Sequence, residues 1–424
     1  MEKMEDFKQL NPQEWKLKVQ AELAGLDYNE ILVWDTAEGI QIKPVYTQED
    51  VKQPVFPIET TKDWKIIGQF LPDSHQDTSY LYGLKMKDNQ ADKAGNLPEY
   101  LDLFWESESP FEFLSEKNFA SLKNLQYLGL GVLGHFAQTG NWYKSQEEDL
   151  ALAEKVLEEK SFEKSIEVDA SLFQNAGANH VLQLALTIAQ AVEYVEKLGE
   201  KAASKLYFKV AVGGNYFFEI AKLRALRHLW ELILSEYKSD AEVFIYAESS
   251  LRNKSLLDVH NNLIRSGLET ASAVQGKADV VYVFPYDEMG SPNEFSEELA
   301  SKQQLLLQKE SYFDKVMDPV AGAYFIENLT ELMSRNALDL FKKIEEEGGF
   351  LKGLFEGRIQ KMIQKSAEKE QMAFDENELI LIGVNKFRNP NDQPKPVEKK
   401  ENPVRTLIQP IMKKRLAEKI ETHL

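Results

Sequence analysis

No cysteine occurs among the 424 residues. That absence excludes disulfides, thiolate nucleophiles, cysteine-ligated zinc and iron–sulfur clusters together. It is compatible with a reducing compartment, and a cytoplasmic location is expected. Long apolar runs are also missing. Nothing reaches the roughly eighteen residues that a membrane span requires, and the opening MEKMEDFKQLNPQEW has no signal-type apolar core. Positive charge is scarce: 50 Lys and Arg stand against 69 Asp and Glu, a net charge of -19. A nucleic-acid surface needs clustered Lys and Arg, so none is expected. The six histidines are His75, His135, His180, His228, His260 and His423. No two have metal-ligand spacing, so no metal site is expected. His180 and His228 fall on helices, where a surface or packing role is the default.

What is present is a large apolar fraction, 43% hydrophobic with 23 Phe and 16 Tyr. A sizeable core follows. Asn11, Pro12 and Glu14 make a helix start: an Asn cap, Pro in the first turn and an acid three residues on. Trp15, Val19, Leu23 and Leu26 then share one stripe. ILVWDTAEGIQIKPVY reads as a hairpin turning at Asp35–Gly39. Eight apolar runs of strand length come next: Ile66–Phe70, Leu81–Met86, Leu101–Trp105, Leu125–Leu130, Ser165–Asp169, Tyr207–Val212, Val243–Glu248 and Val280–Phe284. In the second half each is followed by an amphipathic helix. Such alternation implies a parallel sheet with helices outside, and eight units suggest a closed β/α (TIM) barrel. The segments Leu71–Tyr80 and Lys87–Tyr100 are too polar for full crossover helices, so an open doubly wound sheet stays possible. Further helices follow, then a Pro- and Lys-rich linker, NPNDQPKPVEKKENP. A last amphipathic helix is predicted over VRTLIQPIMKKRLAEKIETHL. The expected division is an arm over 1–60, a barrel over 61–386, and a linker with a C-terminal helix over 387–424.

Reactive constellations are few. GLGVLG, Gly129–Gly134, matches the dinucleotide pattern GxGxxG, with acids Glu147–Asp149 about twenty residues on. Gly140 and Asn141 would break the required helix almost at once, so crowding at a strand end explains the glycines better. Glu219 and Lys222 in FFEIAKLRALRHLW, near Arg224 and Arg227, have the spacing of an ordinary helix ion pair. Barrel chemistry belongs at strand C-termini. Those ends supply Asp169, Gly213-Gly214-Asn215, Glu248-Ser249-Ser250 and Pro285-Tyr286-Asp287. They contain no nucleophile–base pair, although Asp169 and Glu248 could serve as acid and base if they approach each other.

Five stretches together resemble one family. They are DASLFQNAGANHVLQLALTIAQAVEYV, GGNYFFEIAKLRALRHLW, DVHNNLIRSGLETASAV, PNEFSEELA and DPVAGAYFIENLT, covering most of Asp169–Thr330. They are similar to the barrel domain of methylmalonyl-CoA mutase, and WKIIGQF resembles its first barrel strand. The resemblance implies an eight-stranded β/α barrel, capped in catalytic members by adenosylcobalamin and threaded by the acyl-CoA. Catalytic members read Ser-Gly-Tyr-His-Met-Gln-Glu-Ala-Gly-Ala where this chain has Asp169 to Ala178, which puts Leu172 at the catalytic His position. Leucine has no donor for a thioester carbonyl. The polar strand end Gln-Ser-Leu-His-Thr-Asn-Ser is here Asp279 to Pro285. The arm keeps Tyr46 but lacks the family's Arg-rich segment. The cobalamin signature Asp-x-His-x-x-Gly has only a faint echo in Asp73–Thr78.

The resemblance therefore implies a small, non-catalytic subunit that binds no cofactor of its own. It would be paired in a heterodimer with a large, adenosylcobalamin-binding subunit of propionate metabolism. Trp15, Val19 and Leu23 would contact that partner. No catalytic, cofactor or metal residue is expected in this chain, and bulky Phe208, Phe244, Tyr246 and Tyr282 are candidates to fill its axis, with strand alternation leaving open which of them point inward. Two alternatives stay open: an independent barrel lyase or isomerase using Asp169 and Glu248, and a mutase-associated binding or chaperone module.

Overall fold

A computed structural model describes residues 11–51, 63–69, 77–115, 122, 124–159, 161–392 and 405–422. Phe70, His75, His423 and most of the 389–403 linker lie outside the described residues. The chain begins with the expected helix, Pro12–Glu22, whose Asn11 side chain accepts from the Gln13 N–H. A two-stranded antiparallel hairpin follows, β1 (Trp34–Asp35) and β2 (Gln41–Ile42). Its turn closes where the Thr36 hydroxyl donates to the Ile40 carbonyl at 2.7 Å. Gly39 takes the left-handed conformation that this turn needs, φ +68°.

Eight parallel strands then close on themselves: β3 (Lys65–Gln69), β4 (Gly83–Lys87), β5 (Asp102–Glu106), β6 (Leu125–Leu130), β7 (Lys164–Asp169), β8 (Leu206–Val212), β9 (Ile245–Ser249) and β10 (Val280–Tyr282). Pairing of Val280 with Lys65 and of Tyr282 with Ile67 seals the ring, so the open-sheet alternative falls away. All eight strands coincide with predicted runs to within about two residues at each end.

The polar Lys87–Tyr100 stretch makes its crossover without a full helix, as its composition suggested. It forms a single-turn helix, Ala91–Ala94, preceded by a 3-10 turn. Asp88 does the work that a helix would otherwise do. Its carboxylate accepts from the Trp105 indole N–H at 2.8 Å, the Ser107 hydroxyl at 2.9 Å and the Glu108 and Ser109 N–H groups at 2.9 and 3.0 Å. One anion thereby ties the loop after β4 to the loop after β5.

Strand side chains alternate. Ile66, Leu84, Leu103, Trp105, Leu128, Ile166, Val168, Phe208, Val210 and Ile245 face outward into the main core beneath the helices. Helix His180–Leu198 is buried along nearly its whole length, because Tyr324–Glu346 and Gly349–Phe355 pack on its outer side. Tyr324–Glu346 also covers Tyr216–Glu236. That second layer buries the four charged residues Glu219, Lys222, Arg224 and Arg227 of FFEIAKLRALRHLW, and the expected Glu219–Lys222 ion pair forms inside it at 2.5 Å. Arg224 reaches Asp318 at 2.6 Å and Glu327 at 3.3 Å, and Arg227 reaches Asp279 at 2.8 Å.

The tail differs from the predicted long helix. Helix is confined to Glu418–Thr422, and the residues before it run extended along the rim of the barrel. Pro410 interrupts any helix there, and the backbone finds partners elsewhere. Ile411 N–H donates to the Ala137 carbonyl, Lys414 N–H to Asn175 and Leu416 N–H to Arg252, beyond the ends of β6, β7 and β9.

Barrel closure is tight at Gly83, where a methyl group would collide with the Asp102 carbonyl oxygen of the next strand. Gly83→Ala should cost about 1–3 kcal/mol in urea unfolding. Gly95→Ala, which meets no atom within 4 Å, should stay within about 0.5 kcal/mol of wild type.

Candidate functional site: the barrel axis and its C-terminal mouth

Eight-stranded barrels have an interior just wide enough for side chains to fill. Here aromatic groups dominate it. Ile67, Phe104, Tyr127, Tyr207, Phe244, Tyr246, Val280, Tyr282 and Phe284 form one buried cluster, separate from the outer core. Phe104 stacks on Tyr127 with ring centres 4.0 Å apart and planes 3° from parallel. Tyr127 lies 5.4 Å from Phe244, and Tyr246 sits 5.8 Å from Phe104. At the N-terminal end Lys65 Nζ meets Tyr82 Oη at 2.5 Å and Tyr127 Oη at 3.2 Å, and Tyr127 donates to Glu163 at 2.9 Å. The void bordered by Phe104, Tyr127, Tyr207, Tyr246 and Lys209 is about 10 Å³. That is room for a single water at most.

Three of the four aromatics expected on the axis are there: Phe244, Tyr246 and Tyr282. The fourth, Phe208, points the other way and packs edge-on against Trp230 at 5.3 Å. Its neighbour Tyr207 faces inward instead, because β8 begins at Leu206 and side chains alternate from there.

Above the rings lies a charged layer that composition did not reveal. Lys209 Nζ is 2.5 Å from Glu106, 3.8 Å from Glu167 and 4.0 Å from Glu248. Lys85 reaches Glu106 at 3.0 Å and stands 4.7 Å from the Tyr282 ring centre, a cation–π contact. The Tyr207 hydroxyl donates to Glu167 at 2.6 Å. Burial works against the charge on Lys209, but Glu106, Glu167 and Glu248 outweigh it and hold its pKa well above the ordinary lysine range. Burial would likewise raise Glu106, yet Lys209 and Lys85 pull it far below the usual carboxylate range. Glu167 goes the other way. Burial, reinforced by the charges of Asp169 and Glu106 against the pull of Lys209, pushes it up to about 7.

The glycines of GLGVLG have a steric explanation. A methyl group at Gly129 would crowd the Glu167 carboxylate and the Tyr207 hydroxyl at 3.2 Å, and one at Gly134 would crowd Asp169 at 3.2 Å. The helix that follows, Val132–Thr139, has eight residues and ends at Gly140 in the left-handed conformation. Asp149, the acid at ribose distance in the motif, accepts from the Tyr143 and Lys144 N–H groups and holds a loop. Burial lowers His135 to about 4, and its ring stacks on Tyr143 at 3.6 Å.

Leu172 is fully buried in the outer core, at the second position of the short helix Ser171–Asn175 that follows β7. Asp169 accepts from the Ser171 hydroxyl at 2.6 Å and the Leu172 N–H at 3.2 Å. No hydrogen bond joins it to Glu248. The two stand on β7 and β9 with β8 between them, and both feel the charge of Lys209. Other strand-end groups are engaged in holding loops. Gly213 N–H donates to Glu219 at 2.9 Å, Ser249 accepts from the Phe284 N–H at 2.9 Å and Ser250 donates to Gln174 at 2.8 Å. Among the described residues no group of three His, Asp or Glu is placed to hold a metal.

Comparison with known proteins agrees with this barrel. A profile described as methylmalonyl-CoA mutase matches residues 119–422. The chain belongs to the methylmalonyl-CoA mutase family. It is 28% identical to the methylmalonyl-CoA mutase small subunit of Porphyromonas gingivalis over 447 aligned positions, covering 91% of this chain and 71% of that protein. It is 36% identical to the methylmalonyl-CoA mutase of Rhizobium meliloti, over 54% of this chain and 34% of the relative. The large subunit of Propionibacterium freudenreichii is 33% identical, over 56% of this chain and 34% of its own length. The last two matches span about a third of those relatives, whereas the small subunit is matched along most of its length.

The filled axis makes two predictions. Phe104→Ala should cost about 3–5 kcal/mol in urea unfolding, the range for deleting a buried ring that its neighbours cannot replace. The raised Glu167 pKa means that the folded state loses stability as pH climbs from about 4.5 to about 7, where that buried carboxyl must ionise. Glu167→Gln should therefore raise Tm at pH 8 by at least about 2 °C, and the gain should vanish near pH 4.5, as a thermal-melt series across pH will show.

Proposed function

We propose that this chain is the non-catalytic small subunit of a heterodimeric, adenosylcobalamin-dependent methylmalonyl-CoA mutase. In this reading a large subunit binds acyl-CoA and coenzyme and interconverts succinyl-CoA and methylmalonyl-CoA by radical rearrangement. This chain supplies structural support in the cytoplasm. The observation that carries the reading is the aromatic filling of the axis: Phe104, Tyr127, Tyr207, Tyr246 and Tyr282 stand where a substrate would have to pass, and the void bordered by the first four is about 10 Å³.

Two further features support it. The residues here do not suit the coenzyme or the thioester: Leu172 offers no donor, and Asp169 is turned to Ser171 and the Leu172 N–H. The arm has the composition of a docking element. No residue of helix Pro12–Glu22 is buried, although Trp15 packs edge-on against Tyr28 at 6.3 Å. Trp15, Val19 and Leu23 are half-buried, while Leu17 and Leu26 are 70% and 56% exposed. Apolar side chains left uncovered on a projecting helix favour a partner groove.

Co-expression with a large mutase subunit tests the proposal. A stable complex is expected on size exclusion, with mutase turnover only when the large subunit is present. Trp15→Ala should weaken the complex about 30-fold, the effect of losing an aromatic anchor, and leave the melting of the isolated chain nearly unchanged. Turnover of methylmalonyl-CoA by the isolated chain with added coenzyme would refute the reading.

A further inference from the structure

The arm meets the barrel at a cluster that neither the family motifs nor the axis account for. Helix His180–Leu198 starts directly under the hairpin turn. Glu38, at the tip of that turn, accepts from the His180 and Val181 backbone N–H groups, both at 2.8 Å, so an acid from the arm caps the helix. Asn179 donates through Nδ2 to the Ala37 carbonyl at 2.8 Å.

The His180 ring completes the junction. Its Nδ1 lies 2.7 Å from Glu38 and its Nε2 3.2 Å from Glu219 of helix Tyr216–Glu236. With a carboxylate oxygen at each nitrogen, only the doubly protonated imidazolium can donate to both. A neutral ring would turn a lone pair onto one carboxylate. Glu219 in turn accepts from the Gly213 N–H and pairs with Lys222 at 2.5 Å, and Lys222 donates to the Ala211 carbonyl at 2.7 Å and to Gln183 at 3.0 Å. Two acids and two bases, all largely buried, thus run from the arm to β8. The Phe218 ring, 5.6 Å away, covers another side of the imidazole and also touches Trp34 of the hairpin at 5.8 Å.

We propose that Glu38, His180, Glu219 and Lys222 form a clasp that locks the arm onto the barrel, so that the charge on His180 fixes the docking helix in the position where it meets a partner subunit. The proposal rests on the reading of the arm as a partner surface. Burial works against the charged ring, but Glu38 and Glu219 together raise its pKa to about 9. The sign follows from that direction. The clasp is complete below the unfolded histidine value of about 6.5 and is lost as pH rises through about 9. Glu38 and Glu219 are both lowered, by His180 and by His180 with Lys222, against the opposing effect of burial. Acidification therefore loosens the clasp only below the ordinary carboxylate range. His180 is a positioning residue in this role and touches no substrate.

Amide hydrogen exchange on the isolated full chain, corrected for the intrinsic rate, reads the clasp directly. Wild-type hairpin amides at 34–42 should lose about tenfold or more of their protection between pH 7 and pH 10, while amides of β8 and β9 hold theirs. His180→Gln should already show the low value at pH 7 and a flat profile. Glu38→Gln, an arm residue, should do the same with the barrel intact, and it serves if His180→Gln does not fold. Equal hairpin protection in wild type and both variants at pH 7 would overturn the clasp. Titration with the large subunit separates the two ideas. Affinity should fall about tenfold between pH 7.5 and 9.5 for wild type and be low and flat for His180→Gln. Binding that is the same for both at every pH would overturn the clasp and leave the subunit reading standing. A pH-sensitive hairpin in a chain that binds no large subunit would support the lock and defeat the partner surface.

Discussion

A closed ring of eight parallel strands must fill its own axis, and what fills it decides what the barrel can do. In this chain Phe104, Tyr127, Tyr207, Phe244, Tyr246 and Tyr282 pack ring against ring through the interior. The strand ends sit above this filled centre. Their polar groups turn to holding loops: Asp169 to Ser171, Ser249 to the Phe284 N–H, Ser250 to Gln174. The ion cluster of Lys85, Lys209, Glu106, Glu167 and Glu248 belongs to the same solution. Charged side chains withdrawn from water must neutralise one another, and here two lysines and three carboxylates do so at distances of 2.5 to 4.0 Å. Glu167 is pushed up to about 7 by burial and by the neighbouring charges of Asp169 and Glu106.

The same architecture frees the periphery to act. Both described ends of the chain attach to the side of the barrel where strands point their C-termini. The hairpin sits on the start of helix His180–Leu198, and the tail runs beyond β6, β7 and β9. Both attachments combine polar links with buried apolar side chains, Ile40 of the hairpin among them. The hairpin is joined by charge and by a helix cap, the tail by backbone hydrogen bonds with Ile408, Ile411 and Leu416 buried beneath it. A solid barrel with an anchored arm is an object suited to presenting a surface.

Much of this fold was legible from residue patterns. Short apolar runs spaced by helical stripes located all eight strands, because buried parallel strands are nearly continuous hydrocarbon. Asn11 and Pro12 marked the first helix by local chemistry alone. The inward set was harder to read. Alternation says that Tyr207 and Phe208 face opposite ways but not which of them faces the axis, and only the closed ring places Tyr207 inside and Phe208 outside. Lys209, Glu106 and Glu167 were invisible because a charged residue defaults to the surface unless its partners are known, and the cluster is assembled from five different strands. The Glu219–Lys222 pair was legible from its spacing, but its burial was not, for a related reason. The covering helix, Tyr324–Glu346, lies about a hundred residues further on. The tail deceived because Ile408, Ile411 and Leu416 mimic a helical stripe while their backbone is bonded to other loops. Leu172 was legible only by comparison with catalytic relatives, since a buried leucine in a barrel has nothing unusual about it.

The central claim is that this barrel holds no substrate because its own side chains occupy the axis. Isothermal titration of a coenzyme A thioester, and separately of adenosylcobalamin, into the isolated chain tests it most directly. The account predicts no saturable heat with Kd below about 1 mM for either molecule. One-to-one binding at micromolar concentration, altered by substitution at Tyr246 or Tyr282, would contradict it.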